Sequence, residues 1–313
     1  MTAYVARRLG IAVLMVFVIT SLAFILTALM PNDVTSTILG PDATPEQRSA
    51  LRSDLGLDEP LISRFIGFWA SALTGDLGSS LISGRPVLDS VTERLPVTLT
   101  LAMGGTLLAV IVGVALGTLA AVRGGATDTT IRGFVGVVVA IPNFWLAVLL
   151  VFVFAVTLGL FPATGWTPFP DDPGDWALHL VLPLSAIVVG ASAGIVRQSR
   201  VAMLDVLQRD YITTLRSVGL PEWRIILVHG LRNAAIPVLT VIGLTFVGLF
   251  GGAVLIEQVF SLPGIGPLAM TSVSTGDFPV TLGVVIVTSA LILLMNLALD
   301  IVYGIINPKA RLA

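Results

Sequence analysis

The chain contains no cysteine, a single lysine and two histidines, and charged side chains fill only 12% of its 313 positions. The missing cysteines exclude a disulfide framework, a thiolate metal site and a cysteine nucleophile. Two histidines with no cysteine leave a metal cage short of ligands. The lone lysine, Lys309, stands in the C-terminal tail. A P-loop needs a lysine inside its glycine-rich turn to reach the phosphates, so the chain carries no conventional ATP-hydrolysing site of its own. Soluble domains hold roughly 25% charged residues. Half that share, with 55% hydrophobic residues and a mean hydropathy of +0.98, is the composition of a helical protein that crosses a membrane several times.

Six long uncharged runs are present, at 9–30, 95–122, 133–158, 176–196, 233–256 and 278–299. About 20 apolar residues cross the hydrocarbon as helix, so each run reads as a span. The first exceeds a signal-peptide core of roughly 7–15 residues and lacks a cleavage site; it reads as a retained helix that also directs insertion. Orientation follows from the basic residues. With the N-terminus inside, Arg7, Arg8, Arg123, Arg132, Arg197, Arg200, Arg209, Arg216, Arg224, Arg232, Lys309 and Arg311 all fall on the inner side, and the loops near 159–175 and 260–277 hold no Lys or Arg. The other five arginines, Arg48 to Arg94, lie in one long segment, and segments of that size translocate largely regardless of charge.

The expected architecture is therefore all-α, with six transmembrane helices in the cell membrane and both termini cytoplasmic. It divides into a first helix (1–30), an extracytoplasmic segment (31–94), a core of five helices (95–304) and a cytoplasmic tail (305–313). Thr44-Pro45-Glu46 signals a helix start and Gly75-Asp76-Leu77-Gly78 a turn within the outer segment. Gly113-x-x-x-Gly117 and Gly190-x-x-x-Gly194 put glycines on one helix face, where backbones approach closely. Pro142-Asn143 should perturb the third span, as a hinge or as a plain kink.

The inside loop 197–232 carries the most readable pattern. From Asp205 to Val218 the apolar residues Leu207, Tyr211, Leu215 and Val218 recur at helical spacing, with Asp205, Arg209, Thr213 and Arg216 on another face. Gly219 supplies a left-handed cap, with Leu220 placed to meet Leu215 in a Schellman motif. Pro221 and Glu222 suit the first turn of a second helix leading into the fifth span. Two readings stand: a rigid knob for a protein partner, or an interfacial helix whose arginines meet anionic headgroups. The defined stop at Gly219 favours the knob.

The run Asp210-Tyr211-Ile212-Thr213-Thr214-Leu215-Arg216-Ser217-Val218-Gly219-Leu220, followed by His229-Gly230-Leu231-Arg232-Asn233-Ala234-Ala235-Ile236-Pro237, closely resembles the cytoplasmic EAA-type loop of ABC importer permeases. The nearest branch is the dipeptide/oligopeptide/nickel permease family. Leu95-Pro96-x-Thr98, Ile141-Pro142-x-Phe144-Trp145, Glu257-x-Val259-Phe260-x-x-Pro263-Gly264-x-Gly266, Asp300-x-x-Tyr303 and Asn307-Pro308 agree in order along the chain. Thr213-Thr214-Leu215 stands where the general motif has Glu-Ala-Ala.

That resemblance implies a type I, binding-protein-dependent importer. This chain and a second homologous permease subunit surround a central path, and two ABC ATPase subunits receive the loops (197–235 here). An extracytoplasmic solute-binding protein delivers the solute. The loop residues implied are Arg209, Asp210, Tyr211, Thr214, Arg216, Gly219 and Leu220. ATP and Mg are used by the partner subunits; no cofactor bound by this chain and no nucleic-acid partner are expected. A di- or oligopeptide is the first choice of solute, ahead of nickel complexes, glutathione and glycosidic solutes.

Two rival classes fit the residues less well. A secondary carrier or channel normally places Asp, Glu or His inside its helices, and here the spans offer only His179 near one face, with Glu257 and Asp300 at helix ends. Gly190-Ala191-Ser192-Ala193-Gly194 matches a nucleophile elbow, which needs a strand-to-helix turn and a histidine partner; an apolar run of small residues reads instead as close packing. By polarity alone, Thr240, Thr245, Thr288 and Asn296 are candidates for the translocation path. Glu257 either orders the outer mouth through backbone amides or sits in water. Asp300 is placed to pair with Lys309 or Arg311 at the inner face.

Overall fold

The structure is a computed structural model that describes residues 2–30 and 34–306. In chain order the helices are α1 (Thr2–Leu29), α2 (Val34–Leu39), α3 (Pro45–Asp54), α4 (Leu61–Leu73) and α5 (Val87–Leu99). A π-helical turn, Thr100–Gly104, joins α5 to α6 (Gly105–Arg123), which is followed by α7 (Gly125–Ala140) and α8 (Asn143–Leu150) with its π-helical extension Val151–Thr157. Next come α9 (Pro173–Leu207), α10 (Asp210–Ser217) and α11 (Glu222–Arg224), the last leading through the π-helical turn Ile225–Gly230 into α12 (Leu231–Val259). Helices α13 (Ile265–Thr275) and α14 (Phe278–Ile306) complete the described chain. No strand occurs among the described residues; a single bridge pairs Ser79 with Pro86.

Five helical stretches are long and apolar enough to cross a membrane, and a sixth exists if a bent pair counts as one span. The bend is sharper than a kink: Gly125–Ala140 and Asn143–Thr157 meet at 98°. Its cause is local. Ile141 is extended, at φ −97° and ψ 123°, as the ring of the following Pro142 requires of its predecessor, and the helix ends there. Two boundaries also differ from the uncharged runs. Helix α5 starts at Val87, so Asp89, Glu93 and Arg94 are helical, and α9 continues past 196 to Leu207.

The chain forms two compact units. In the unit built on Leu99–Leu262, α6 packs along α9 and α9 along α12. Glycines set the first contact. A Cβ at Gly113 would sit 2.6 Å from Ile195 Cγ2, and one at Gly117 would sit 2.6 Å from the Val196 carbonyl oxygen, so only hydrogen fits. The second glycine pair behaves differently. Gly190 receives the Asn143 side chain, whose Oδ1 a Cβ would strike, whereas Gly194 is roomy, with Val241 at 3.8 Å. Ser192, between them, lies inside α9 and donates to the Val189 carbonyl at 3.2 Å; the strand-to-helix turn of a nucleophile elbow is not what surrounds it.

The other unit holds Ala6–Thr98 and Pro263–Leu294. Its core joins Leu77, Val87 and Val91 to Ile265, Val280 and Val284. Thr98, from the Leu-Pro-x-Thr motif, accepts the Ile265 N–H at 2.8 Å at the start of α13. Asp277, only 5% exposed, accepts from the Ser80 hydroxyl and from the Leu81 N–H at 3.1 Å, fastening the Ser80 turn to the α13–α14 junction. The Thr44 signal is a full capping box: Thr44 accepts from Gln47 N–H while the Gln47 side chain accepts from Thr44 N–H.

Candidate functional site

The loop between α9 and α12 is built from backbone upward. Helix α9 ends at Leu207, and Arg209, extended at ψ 146°, opens α10 without a side-chain cap. The short helix therefore covers Asp210–Ser217 and not the whole of 205–218, because Arg209 is extended and separates it from α9. Asp210 stands in the first turn and Arg216 in the last, each favourable to the helix dipole. Beyond Val218, Gly219 adopts φ 78°, and the two closing bonds form: Leu220 N–H to Leu215 O at 3.2 Å and Gly219 N–H to Arg216 O at 3.0 Å. That is the Schellman motif in full. Glu222–Val259 then runs as one continuous helical stretch.

Side chains lock this turn. Arg216 grips Glu222 across it with two bonds, Nε to Oε1 at 2.7 Å and Nη2 to Oε2 at 3.4 Å. Arg209 reaches back to Asp205 at 2.8 Å. The pKa of each arginine is raised by the hydrogen bond to its carboxylate partner, Asp205 for Arg209 and Glu222 for Arg216. Asn233 Nδ2 donates to the Tyr211 hydroxyl at 3.1 Å and to the His229 carbonyl at 2.8 Å, tying α10 to the start of α12. Thr214 turns its hydroxyl to the Asp210 carbonyl at 3.2 Å.

Burial corrects the expected faces. Ile212 is the fully buried residue of α10, while Tyr211 is exposed and Leu215 and Leu220 half-buried. Val218, expected on the apolar inner face, is 67% exposed, as is Trp223 at 63%. These two exposed apolar side chains flank the Gly219 turn.

A second charged cluster went unanticipated. Asp128 in α7, 9% exposed, holds Arg200 of α9 in a bidentate pair, one bond at 2.7 Å, with Arg132 at 3.4 Å. No local pattern links positions 72 residues apart.

The remaining candidates scatter. Thr240 is exposed, and Thr245 and Asn296 half-buried; a Cβ on Gly243 would lie 3.8 Å from Asn296 Oδ1. Thr288 belongs to the other unit and donates to the Val284 carbonyl at 2.7 Å. Glu257 is fully buried, which rules out the water-exposed reading. Its carbonyl accepts the Leu262 N–H at 2.7 Å while Ser261 N–H bonds Gln258 O at 3.1 Å; this is a second Schellman closure, with Ser261 at φ 52° in the glycine position. Gly165 N–H bonds the Phe260 carbonyl at 3.1 Å beside it. Lys309 and Arg311, suggested partners of Asp300, lie outside the described residues.

Comparison with known proteins adds to this geometry. The fold matches a chain of the MetNI methionine ABC transporter, solved in inward-facing conformations, with a TM-score of 0.58 at 19% identity, covering 70% of this chain and 97% of that one. A putative peptide transport system permease protein of Brucella abortus (strain 2308) is 38% identical over 313 residues, 99% of each chain. The oligopeptide transport system permease protein AppB of Bacillus subtilis (strain 168) is 34% identical over 99% of each chain, and the glutathione transport system permease protein GsiC of Escherichia coli O6:H1 is 37% identical over 98% of each. Residues 1–102 match the description "Binding-prot-dependent transport system membrane comp, N-term". With residues 113–312 matching as well, the chain belongs to the family described as the binding-protein-dependent transport system inner membrane component, a multi-pass membrane permease.

Proposed function

We propose that this permease forms one half of the path of an ATP-driven importer for di- or oligopeptides, and that the 197–235 loop transmits the nucleotide cycle of separate ATPase subunits. The observation that carries the coupling role is the exposed tip of Val218, Gly219 and Trp223, held stiff by the Schellman bonds, the Arg216–Glu222 pair and the Tyr211–Asn233 bond. A stiff tip transmits displacement; a frayed loop absorbs it. The peptide assignment rests on full-length relatives named for peptide transport, with glutathione as the second reading from GsiC. In this reading a homologous permease completes the path, an extracytoplasmic binding protein delivers the solute, and both termini are cytoplasmic.

The native chain is free of cysteine, so a single Val218→Cys variant carries a short thiol-reactive cross-linker without background. In native membranes it should capture an ATP-hydrolysing subunit. Capture of lipid or of nothing sinks the coupling role. For the solute, the cognate binding protein should be stabilised thermally by short peptides; stabilisation by glutathione or a nickel complex alone replaces the peptide assignment.

A further inference from the structure

Helix α4 sits in the segment expected to be extracytoplasmic (31–94), yet its sequence, LISRFIGFWASAL, is largely apolar. It is 13 residues long, about 20 Å, too short to cross hydrocarbon of about 30 Å. Between Arg64 and Asp76 the chain carries no charged residue.

Aromatic contacts fix where α4 lies. Phe65 and Phe68 meet Phe24 of α1 at ring distances of 5.4 and 5.9 Å, and Trp69 meets Phe17 at 4.8 Å. Sequence numbers rise along α4 as they fall along α1, so the two helices run antiparallel. Phe17 lies at the middle of the membrane-crossing stretch Ala6–Leu29. Trp69 is therefore carried from the C-terminal end of α1 toward the centre of the bilayer.

Helix α14 gives an independent gauge. The Arg64 guanidinium stacks over the ring of Phe278, the first residue of α14, at 4.8 Å. Ala72, two turns further along α4, packs against the core formed by Leu77, Val87, Val91, Ile265, Val280 and Val284, the last two about half a turn and nearly two turns inside α14. Both gauges descend in the same direction.

The face of α4 turned away from these contacts is apolar and bare: Ile62 is 74%, Ile66 61% and Leu73 84% exposed. In water such a stripe is unfavourable in proportion to its area. Its neighbour α1 is uncovered in the same way, with only 11% of its span buried, as a helix bathed in acyl chains is.

We infer that α4 is a half-span helix, sunk into the leaflet at the C-terminal end of α1, with Ile62, Ile66 and Leu73 facing acyl chains. The inference needs only that α1 crosses the bilayer; under the topology proposed above that leaflet is the outer one. Membrane contact of this segment holds α1 and α14 at a common depth through α4.

The cysteine-free chain permits a direct test. Nitroxide labels are placed one at a time at Ile62→Cys, Ile66→Cys and Leu73→Cys in the full transporter, reconstituted in phosphatidylcholine/phosphatidylglycerol vesicles. Collision with oxygen, which partitions into lipid, is compared with collision with a water-soluble nickel chelate. Oxygen should dominate at Ile66 and Leu73, and the oxygen-to-nickel ratio should rise from Ile62 to Leu73. Nickel collisions dominating at all three would place α4 in water and overturn the inference. Low collision with both reagents would mean that a protein partner covers the face, which overturns it equally. Because the labels leave Val218 untouched, the cross-linking outcome is read separately.

Discussion

At Gly219 nothing lies within 4 Å of a would-be Cβ, so the position is constrained by its φ of 78° and not by space. A β-branched residue there is a steric outlier, while asparagine tolerates the left-handed region. Gly219→Val should abolish ATP-coupled uptake with membrane insertion intact, and Gly219→Asn should keep most of it; equal activity of the two variants in vesicle uptake would contradict the rigid-tip account. Arg216 tests the same turn by charge. An exposed pair contributes only about 0–1 kcal/mol to stability, so its value lies in geometry. Arg216→Glu should impair uptake, and adding Glu222→Arg should restore it, because the pair closes on itself; failure of the double swap would assign Arg216 to a partner instead. Ser261 is the reverse case, a side chain where glycine is at ease. Non-glycine residues in this region carry roughly 1–2 kcal/mol of strain, so Ser261→Gly should raise the thermal midpoint in detergent. A lower midpoint would mean that the serine side chain contributes something its backbone strain conceals.

Among the elements, α6 against α9 depends most on missing atoms. At Gly117 the obstructing groups are the Val196 carbonyl, the Ser199 Cβ and the Arg200 N–H, which are backbone or backbone-adjacent and yield only if the helices separate. Overpacking of this kind typically costs about 1–3 kcal/mol. Gly117→Ala should lower thermal stability by that order, whereas Gly136→Ala, with open space around it, should be neutral; indifference at both would show that the helices readily part. This contact was legible beforehand because small residues four apart carry their meaning locally. So was the Gly219 turn, since chirality acts within one residue. Helix burial is decided by what arrives from elsewhere, and there the pattern misled: Ile212, and not Tyr211 or Val218, meets the interior. The break at Gln208 and Arg209 has no glycine or proline to announce it. Asp128 and Asp277 find partners 72 and 197 residues away, a distance over which no periodicity speaks.

For the whole molecule, the sidedness of the chain hangs on the bent pair. Helix α7 has 16 residues and α8 with its extension spans Asn143–Thr157. Each is about 22–24 Å long, short of the roughly 30 Å of hydrocarbon, so neither crosses upright alone. If the pair returns to the side it left, the chain has five crossings and its ends lie on opposite sides. If the pair crosses, there are six and the ends share a side. Basic residues decide between these. Arg123 and Arg132 precede the bend, and 159–175 contains no Lys or Arg, an asymmetry that the positive-inside rule assigns to opposite faces. A re-entrant pair would put the arginine-poor 159–175 on the same face as Arg123 and leave α9 to carry Arg197, Arg200 and Arg209 to the other, against that rule. The crossing arrangement is therefore expected. In intact cells, a membrane-impermeant maleimide should label Thr167→Cys but not Ser217→Cys, and permeabilisation should expose the second. Labelling of Ser217→Cys from outside, with Thr167→Cys protected, would invert the chain and remove the loop from the compartment where ATP is hydrolysed.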